Sequence, residues 1–280
     1  MSLQSTIDDA RRVVDSADAV VISAGAGMGV DSGLPDFRGD KGFWKAYPVA
    51  ERLGLSFTEL ANPDHFENNP RLAWAFYGHR LNLYRATVPH DGYRRLLEMA
   101  NDKKQGYFVY TSNVDGQFQA AGFDHHRIVE CHGSIHRLQC TRCEGAHTWS
   151  ADEQRVDVDM EAFLARDPLP ACIYCGAIAR PNILMFGDAF WVPDVSEAQT
   201  HRLRTWWQDI LDRECRVAVI ELGAGLAVPT VRMFSERLAR ASLATLVRIN
   251  PRDSQVPGGH HSIPLGAADG VARLLGEPLR

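Results

Sequence analysis

Five short apolar runs, each giving way at once to small or polar residues, constrain this chain more than any other feature. They occupy residues 19–23, 107–110, 127–131, 217–222 and 245–249, with helical patterns between several of them. A run that is apolar on both faces suits a buried parallel strand, because crossover helices cover both sides of a parallel sheet. Strand and helix in alternation predict an α/β class with a doubly wound parallel sheet. Ahead of the first run, Ile7, Ala10, Val13, Val14 and Ala17 recur near the helical period behind the candidate caps Ser5 and Thr6. That pattern predicts a helix covering the sheet, and residues 200–214 and 230–241 read likewise.

At 280 residues, with roughly 150 residues to a domain, the chain has room for an α/β core and a smaller module. The strand pattern breaks twice. Between residues 42 and 98 an aromatic-rich stretch with Leu72, Trp74, Phe76, Tyr77, Leu81 and Tyr84 predicts an inserted helical module. Between residues 136 and 180 a cysteine-marked segment predicts a second insertion. No Pro/Gly/Ser linker sets either apart, so the modules should interleave: a main domain from residues 1–41, 99–135 and 181–280, with both insertions packed against it.

Within the second insertion, Cys140-x-x-Cys143 and Cys172-x-x-Cys175 stand 28 residues apart. Four thiolates in two such pairs suit tetrahedral zinc, and a closed sulfur shell has no vacant position for water, which gives the metal a structural role. Cys131 and Cys215, in apolar strand contexts, read as buried thiols. Residues 1–12 contain Asp8 and Asp9 and no apolar core of a secretory leader. The longest apolar runs fall far below the roughly 20 residues that cross a bilayer. A cytoplasmic protein with no membrane contact is therefore expected, in a compartment that keeps thiols reduced.

Composition removes further classes. The chain is 45% hydrophobic and 23% charged, ordinary globular usage that argues against collagen, disorder and disulfide scaffolds. Thirty basic against thirty-five acidic residues leave a net charge of −5 and no global drive towards nucleic acid. The cysteine segment repeats the point: Arg137 and Arg142 flank the first pair, but Glu144, Asp152, Glu153, Asp157, Asp159 and Glu161 follow. Such a surface repels phosphate, so no nucleic-acid partner is expected. Nothing in the sequence specifies an oligomeric state.

The first apolar run ends in Gly25-Ala26-Gly27-Met28-Gly29, where small residues let backbone amides approach a phosphate. Position 30 is Val where the dinucleotide fingerprint wants Gly or Ala, which weakens a dehydrogenase reading. A glycine turn alone is also an ordinary strand-to-loop connection. Next come Asp36, Phe37 and Arg38: an acceptor, an apolar wall and a bidentate fork suited to a nicotinamide riboside and its phosphate, or a turn followed by a surface ion pair. The second run ends in Thr111-Ser112-Asn113-Val114-Asp115 and the third in Glu130-Cys131-His132-Gly133. Strand exits line the ligand crevice of an open parallel sheet, so these segments are expected to meet. His132 is the leading general base, since imidazole titrates near neutral pH. Asn113 could order a water or hydroxyl and Asp115 could accept from a carboxamide, unless both only form turns.

Taken in order, these motifs resemble the sirtuins, NAD-dependent protein-lysine deacylases. The likeness rests on residues 25–38, 111–115, His132-Gly133, the four-cysteine lobe, Arg180-Pro181, Phe186-Gly187-Asp188, Gly223-Ala224-Gly225-Leu226 and Arg248-Ile249-Asn250, and it spans nearly the whole chain. It implies a Rossmann-type large domain, a smaller zinc-binding domain with a helical module, and a cleft between them for NAD and an extended acyl-lysine peptide. It also implies that the acyl oxygen displaces nicotinamide and that His132 then activates a ribose hydroxyl, so that lysine and O-acyl-ADP-ribose result. By the same likeness Gly25, Ala26, Gly27 and Arg38 contact cofactor phosphates and ribose. Asp36, Phe37, Ser112, Asn113 and Asp115 surround the nicotinamide end, Gly223 and Ala224 lie along the cofactor, and Asn250 lies near the adenosine. Residues 184–187, with Phe186 and Gly187, resemble a strand that pairs with substrate peptide by sheet addition. Ser112, Ala224-Gly225 and Asp188 differ from the residues usual in the family.

Tyr77-Gly78-His79-Arg80 has the Tyr-x-x-Arg spacing that resembles the family's acid-acyl branch. One helical turn puts both side chains on one face, where Arg80 could pair with the distal carboxylate of succinyl- or malonyl-lysine and Tyr77 could donate to it. Packing plus a solvated charge is the competing account. Two rival activities keep the cofactor, protein mono-ADP-ribosyl transfer and plain NAD hydrolysis. His132 argues against both, since neither needs an activated ribose hydroxyl.

Overall fold

All five apolar runs become strands of one parallel sheet in the computed structural model, which describes residues 2–36, 39–143 and 147–276 and only the backbone of residues 39–41. In chain order β1 (Ala19–Ala24), β2 (Tyr107–Thr111) and β3 (Ile128–Glu130) come first. An antiparallel excursion follows: β4 (Gly133–Cys140), β5 (Thr148–Ser150), the short ribbon β6 (Val158–Asp159) and β7 (Leu164–Ala165), and β8 (Ala179–Ile183). The chain then returns as β9 (Val217–Leu222), β10 (Ala244–Ile249) and β11 (His261–Ile263).

The main sheet runs β11-β10-β9-β1-β2-β3, every pair parallel. This is the strand order of Rossmann-type dinucleotide-binding folds, and it reverses between β1 and β9. Both faces are covered. Helices Leu3–Ser16, Asp91–Asn101 and Ala267–Leu275 bury Ile7, Leu96 and Val271 with Val20, Ile22 and Ile220. On the opposite face Asp194–Asp212 and Thr230–Leu238 bury Leu203, Ile210 and Phe234 with Val21, Val219 and Leu246. The six residues of β1 and the six of β9 are all buried, as central parallel strands require.

Some local expectations change. Ser2, not Ser5 or Thr6, caps the first helix, its hydroxyl accepting from Ser5 N at 3.2 Å. The helix expected over 200–214 starts at Asp194, and that over 230–241 ends at Leu238. Helix Asp91–Asn101 begins inside the stretch expected to be a helical module, yet its Tyr93, Leu96 and Ala100 belong to the sheet core. Strand β11 follows no long apolar run: an edge strand buried mainly through Ile263 leaves little hydrophobic signal.

The two insertions share one core. Helices Gly39–Ala46, Pro48–Arg52, Phe57–Leu60, His65–Asn68 and Pro70–Ala86 pack Phe43, Phe66, Trp74 and Phe76 against Leu138, Phe163 and Ala179 of the antiparallel segment. Trp74 Nε1 donates to the Ala179 carbonyl at 2.9 Å, tying the longest of these helices to β8.

Candidate active site

The exits of β1 and β9 meet where the strand order reverses, the usual place for a ligand crevice. Gly27 N donates to the Gly223 carbonyl at 3.1 Å and Gly25 N to that of Leu222 at 3.0 Å. A Cβ on Gly27 would lie 2.7 Å from Gly223 Cα, and one on Gly223, whose φ is +60°, would lie 2.4 Å from the Gly27 carbonyl carbon. These glycines are therefore required first by each other, since two loops interlock backbone against backbone. Between this sheet edge and the second core lies a cleft of about 790 Å³.

Gly25, Ala26, Gly27, Asp36, Ser112, Asn113, Asp115, His132, Gly223 and Ala224 all line that cleft, together with Tyr77, Arg80 and Phe186. Gly187 and Asn250 are not among the lining residues. Asn250 is buried, its amide donating to Ala224 O at 2.9 Å while its carbonyl accepts from Arg252 N and Asp253 N at 3.0 Å each, so it supports the Ala224 wall from behind. Phe37 and Arg38 lie outside the described residues.

Local hydrogen bonds fix the β2 exit. Thr111 Oγ1 donates to Ala24 O at 2.9 Å, and Asn113 Nδ2 to Gly25 O at 3.1 Å, so the Asn113 carboxamide braces the glycine loop. Asp115 Oδ1 accepts from Gln117 N at 2.9 Å. Burial pushes the Asp115 carboxyl up to about 6, against the opposing pull of the Gln117 N–H and the Arg80 guanidinium. A carboxyl raised in the folded state destabilises that state once ionised, so this site should erode stability as pH rises from the ordinary carboxylate value to about 6. Asp115→Asn keeps the acceptor for Gln117 N and should stabilise the protein at neutral pH by up to about 3 kcal/mol. The gain should vanish in acid, and turnover should fall. Thermal unfolding of both forms in acid and at neutral pH checks this; a neutral-pH gain of zero overturns it.

His132 follows β3 by two residues. Its carbonyl accepts from Leu184 N at 3.0 Å, and Cys131 N donates to Thr111 O at 2.9 Å. Gly133, with φ +75°, starts β4 hard against β8, its antiparallel neighbour; a Cβ there would lie 2.1 Å from Asn182 O. The His-Gly pair thus puts an imidazole at the cleft as the chain turns from one sheet into the other. Partial burial lowers the imidazole's proton affinity, which favours the neutral, proton-accepting form. Neighbouring Cys131 is held inert, its thiol pushed up to about 12 by burial, and Cys215 is buried.

Opposite the sheet, helix Pro70–Ala86 contributes Tyr77, Arg80 and Tyr84 to the cleft wall. The second core also supplies Phe57, Thr58 and Ala61, and the sheet side Val231 and Asp253, none of which the motifs pointed to. Tyr84 alone carried a signal, seven residues beyond Tyr77 on the same helical face.

Residues 184–187 differ from the expected strand. Leu184 and Met185 lack regular structure and Phe186-Gly187 form a turn. Leu184 N donates to His132 O and Phe186 N to Ala61 O, both at 3.0 Å, while Met185 N reaches Asp188 Oδ2 at 3.3 Å. A pairing peptide is left the carbonyls of this stretch. The turn is anchored by the buried ion pair of Arg180 and Asp188 at 2.5 Å.

The four cysteine sulfurs converge, with ligand atoms all within 4.8 Å of one another and Cys140–Cys175, Cys143–Cys172 and Cys143–Cys175 separations of 3.6, 3.7 and 3.4 Å. Sulfurs about 2.3 Å from a tetrahedral zinc stand roughly 3.8 Å apart, so the set fits the metal. Backbone N–H groups of Arg142 and Cys143 point at Cys140 Sγ, and that of Tyr174 at Cys172 Sγ, an arrangement that favours thiolates.

A pattern describing the Sir2 family matches residues 25–205. An NAD-dependent protein deacylase of Thermococcus sibiricus is 32% identical over 184 residues, 65% of each chain. One of Pyrococcus furiosus is 31% identical over 276 residues, 98% of each. A solved Sir2 homologue in complex with NAD superposes with a TM-score of 0.68 at 21% identity, covering 96% of this chain and 92% of that one, a likeness of fold. The family pattern covers more than half of the chain and a relative 31% identical matches it almost end to end, so the chain belongs to the Sir2 family.

Proposed function

We infer that the protein removes acyl groups from protein lysine side chains in an NAD-dependent reaction that yields nicotinamide and O-acyl-ADP-ribose. One observation carries the reading: the His132 imidazole, the interlocked glycine exits and an apolar wall from a second domain share a single cleft. Its volume is in the range of cofactor sites.

The small residues of the Gly25–Gly27 turn and of Gly223-Ala224 let the cofactor's phosphates and sugars approach the backbone closely, while Gly25 N, Gly27 N and Gly223 N are spent holding the two exits together through Leu222 O, Gly223 O and Ile249 O. Ser112, Asn113, Asp115 and Asp36 would surround the nicotinamide end, with the family resemblance assigning Phe37 to the same end and Arg38 to the phosphates and ribose. Asn250 would act on the adenosine side indirectly, through Ala224. Bound NAD supplies an electrophilic sugar carbon and the hydroxyl that receives the acyl group. His132 is the base for that hydroxyl, and its lowered proton affinity keeps it competent at neutral pH. Phe186 and Gly187 would meet the substrate peptide near the acyl-lysine, with Gly187 outside the cleft proper. Zinc at Cys140, Cys143, Cys172 and Cys175 would hold the lobe and take no part in the chemistry. Tyr77 and Arg80 support the further reading that acyl chains ending in a carboxylate are accepted alongside acetyl.

No helix among the described residues is long and apolar enough to cross a membrane. A cytoplasmic setting is proposed because metal-binding thiols survive in a reducing compartment.

Incubation with NAD and acetyl-, succinyl- and malonyl-lysine peptides, with product masses recorded, tests the activity. Nicotinamide release should depend on the peptide and match O-acyl-ADP-ribose formed. NAD consumed equally fast without peptide would assign hydrolysis instead.

A further inference from the structure

Helix Pro70–Ala86 turns three polar side chains, Tyr77, Arg80 and Tyr84, onto one wall of the cleft at one-turn intervals. Arg80 Nε donates to Tyr84 Oη at 3.0 Å, and the guanidinium carbon stands 5.1, 5.5 and 5.4 Å from the ring centres of Phe76, Tyr77 and Tyr84. A guanidinium held by its Nε and packed among three rings has one orientation, unlike a flexible surface arginine. The phenol has a second property. Because Tyr84 Oη accepts from Arg80, its own O–H proton points elsewhere and remains a donor. Burial raises Tyr84 and keeps it protonated over the working pH range.

We propose that Tyr84 is a specificity residue for acyl chains ending in a carboxylate, orienting Arg80 through Nε and donating its own hydroxyl proton to the chain's distal oxygen. The proposal rests on the acid-acyl reading of Tyr77 and Arg80 and adds a donor that the Tyr-x-x-Arg spacing does not include. Its chemistry is selective. An acetyl group ends in a methyl and has no distal acceptor, whereas a succinyl or malonyl group presents two anionic oxygens to donors already fixed in place. A hydrogen bond to a charged group in a buried site is strong enough for its loss to cost about tenfold or more in binding.

The test is the ratio of kcat/KM for succinyl-lysine over acetyl-lysine peptides of one sequence, measured for wild type, Tyr84→Phe and Arg80→Met. Tyr84→Phe keeps the ring, and its acetyl turnover reports that the protein is folded. The ratio should fall about tenfold or more in Tyr84→Phe, chiefly through KM for the succinyl peptide, and further in Arg80→Met. A role confined to packing would lower both substrates together and leave the ratio unchanged, which overturns the proposal. If Arg80→Met also leaves the ratio unchanged, the acid-acyl reading itself is wrong. If only Tyr84→Phe does, that reading stands and the role of Tyr84 falls.

Discussion

Replacing His132 by tyrosine should lower O-acyl-ADP-ribose formation by about a hundredfold to ten-thousandfold, the usual range for loss of a general base. Tyrosine fills the ring's space but stays protonated at neutral pH, so the variant keeps the bulk and loses the base. Release of nicotinamide should suffer less, because departure of the pyridine does not need a ribose hydroxyl deprotonated. Following nicotinamide and O-acyl-ADP-ribose in the same reaction separates the two steps. In the wild-type protein the acid limb of the pH–rate profile should lie below the ordinary imidazole range, since desolvation lowers the affinity of His132 for its proton. Deacylation at wild-type rate in the tyrosine variant would remove His132 from the reaction.

Stripping zinc should unfold the antiparallel lobe and abolish turnover with it. Structural zinc contributes about 10–16 kcal/mol of binding free energy in small sites, against a typical net stability of about 5–15 kcal/mol for a domain. The lobe cannot fail alone, because Leu138 and Ala179 share a core with Trp74 and Phe76 and Trp74 Nε1 bonds to Ala179 O. Loss of the metal should therefore reach the helix that carries Tyr77 and Arg80. A chelator titration followed by near-ultraviolet circular dichroism, zinc content and deacylation should show the three declining together and recovering with added zinc. Cys172→Ser should reproduce the loss without chelator. A metal-free protein with intact aromatic signal and activity would show that the four sulfurs hold the lobe without an ion.

Much of the sheet was legible because its strands are buried on both faces. Residues 19–22 and 217–220 carry short apolar runs that give way at once to polar or small residues, and both lie in central strands. Strand β11 left no such mark, since it pairs on one side only and buries mainly Ile263. Helix Asp91–Asn101 reads as a helix from its own periodicity, but periodicity does not say which of two cores its apolar stripe meets. Tyr93 and Leu96 settle on the main sheet while Tyr77, sixteen residues earlier, settles in the other core. The cysteine pairs were legible for a chemical reason: four soft ligands at this spacing admit few alternatives, and their sulfurs converge.

Side chains at the cleft were read with uneven success. Motif residues such as Gly27 and Asn113 stand at strand exits, so their place followed from the topology. Asn250 also follows a strand, yet its carboxamide turns to Ala224 and the backbone of residues 252 and 253, a choice made by neighbours distant in sequence. Residues 184–187 looked extended, but Phe186-Gly187 form a turn beside the Arg180–Asp188 pair, and the N–H groups of Leu184, Met185 and Phe186 go to His132, Asp188 and Ala61.

By itself the sequence determined the α/β class, the parallel sheet, the metal-ligand set and the family, because burial on two faces, thiolate spacing and ordered motifs are local properties of a chain. Tertiary structure alone decided that the glycine exits of β1 and β9 interlock, that both insertions form one core, and that Asp115 and Tyr84 surround Arg80 in one cleft. Each depends on which groups approach across the fold and how far water is excluded from them. Distance and desolvation between remote segments come into being only when the chain has packed.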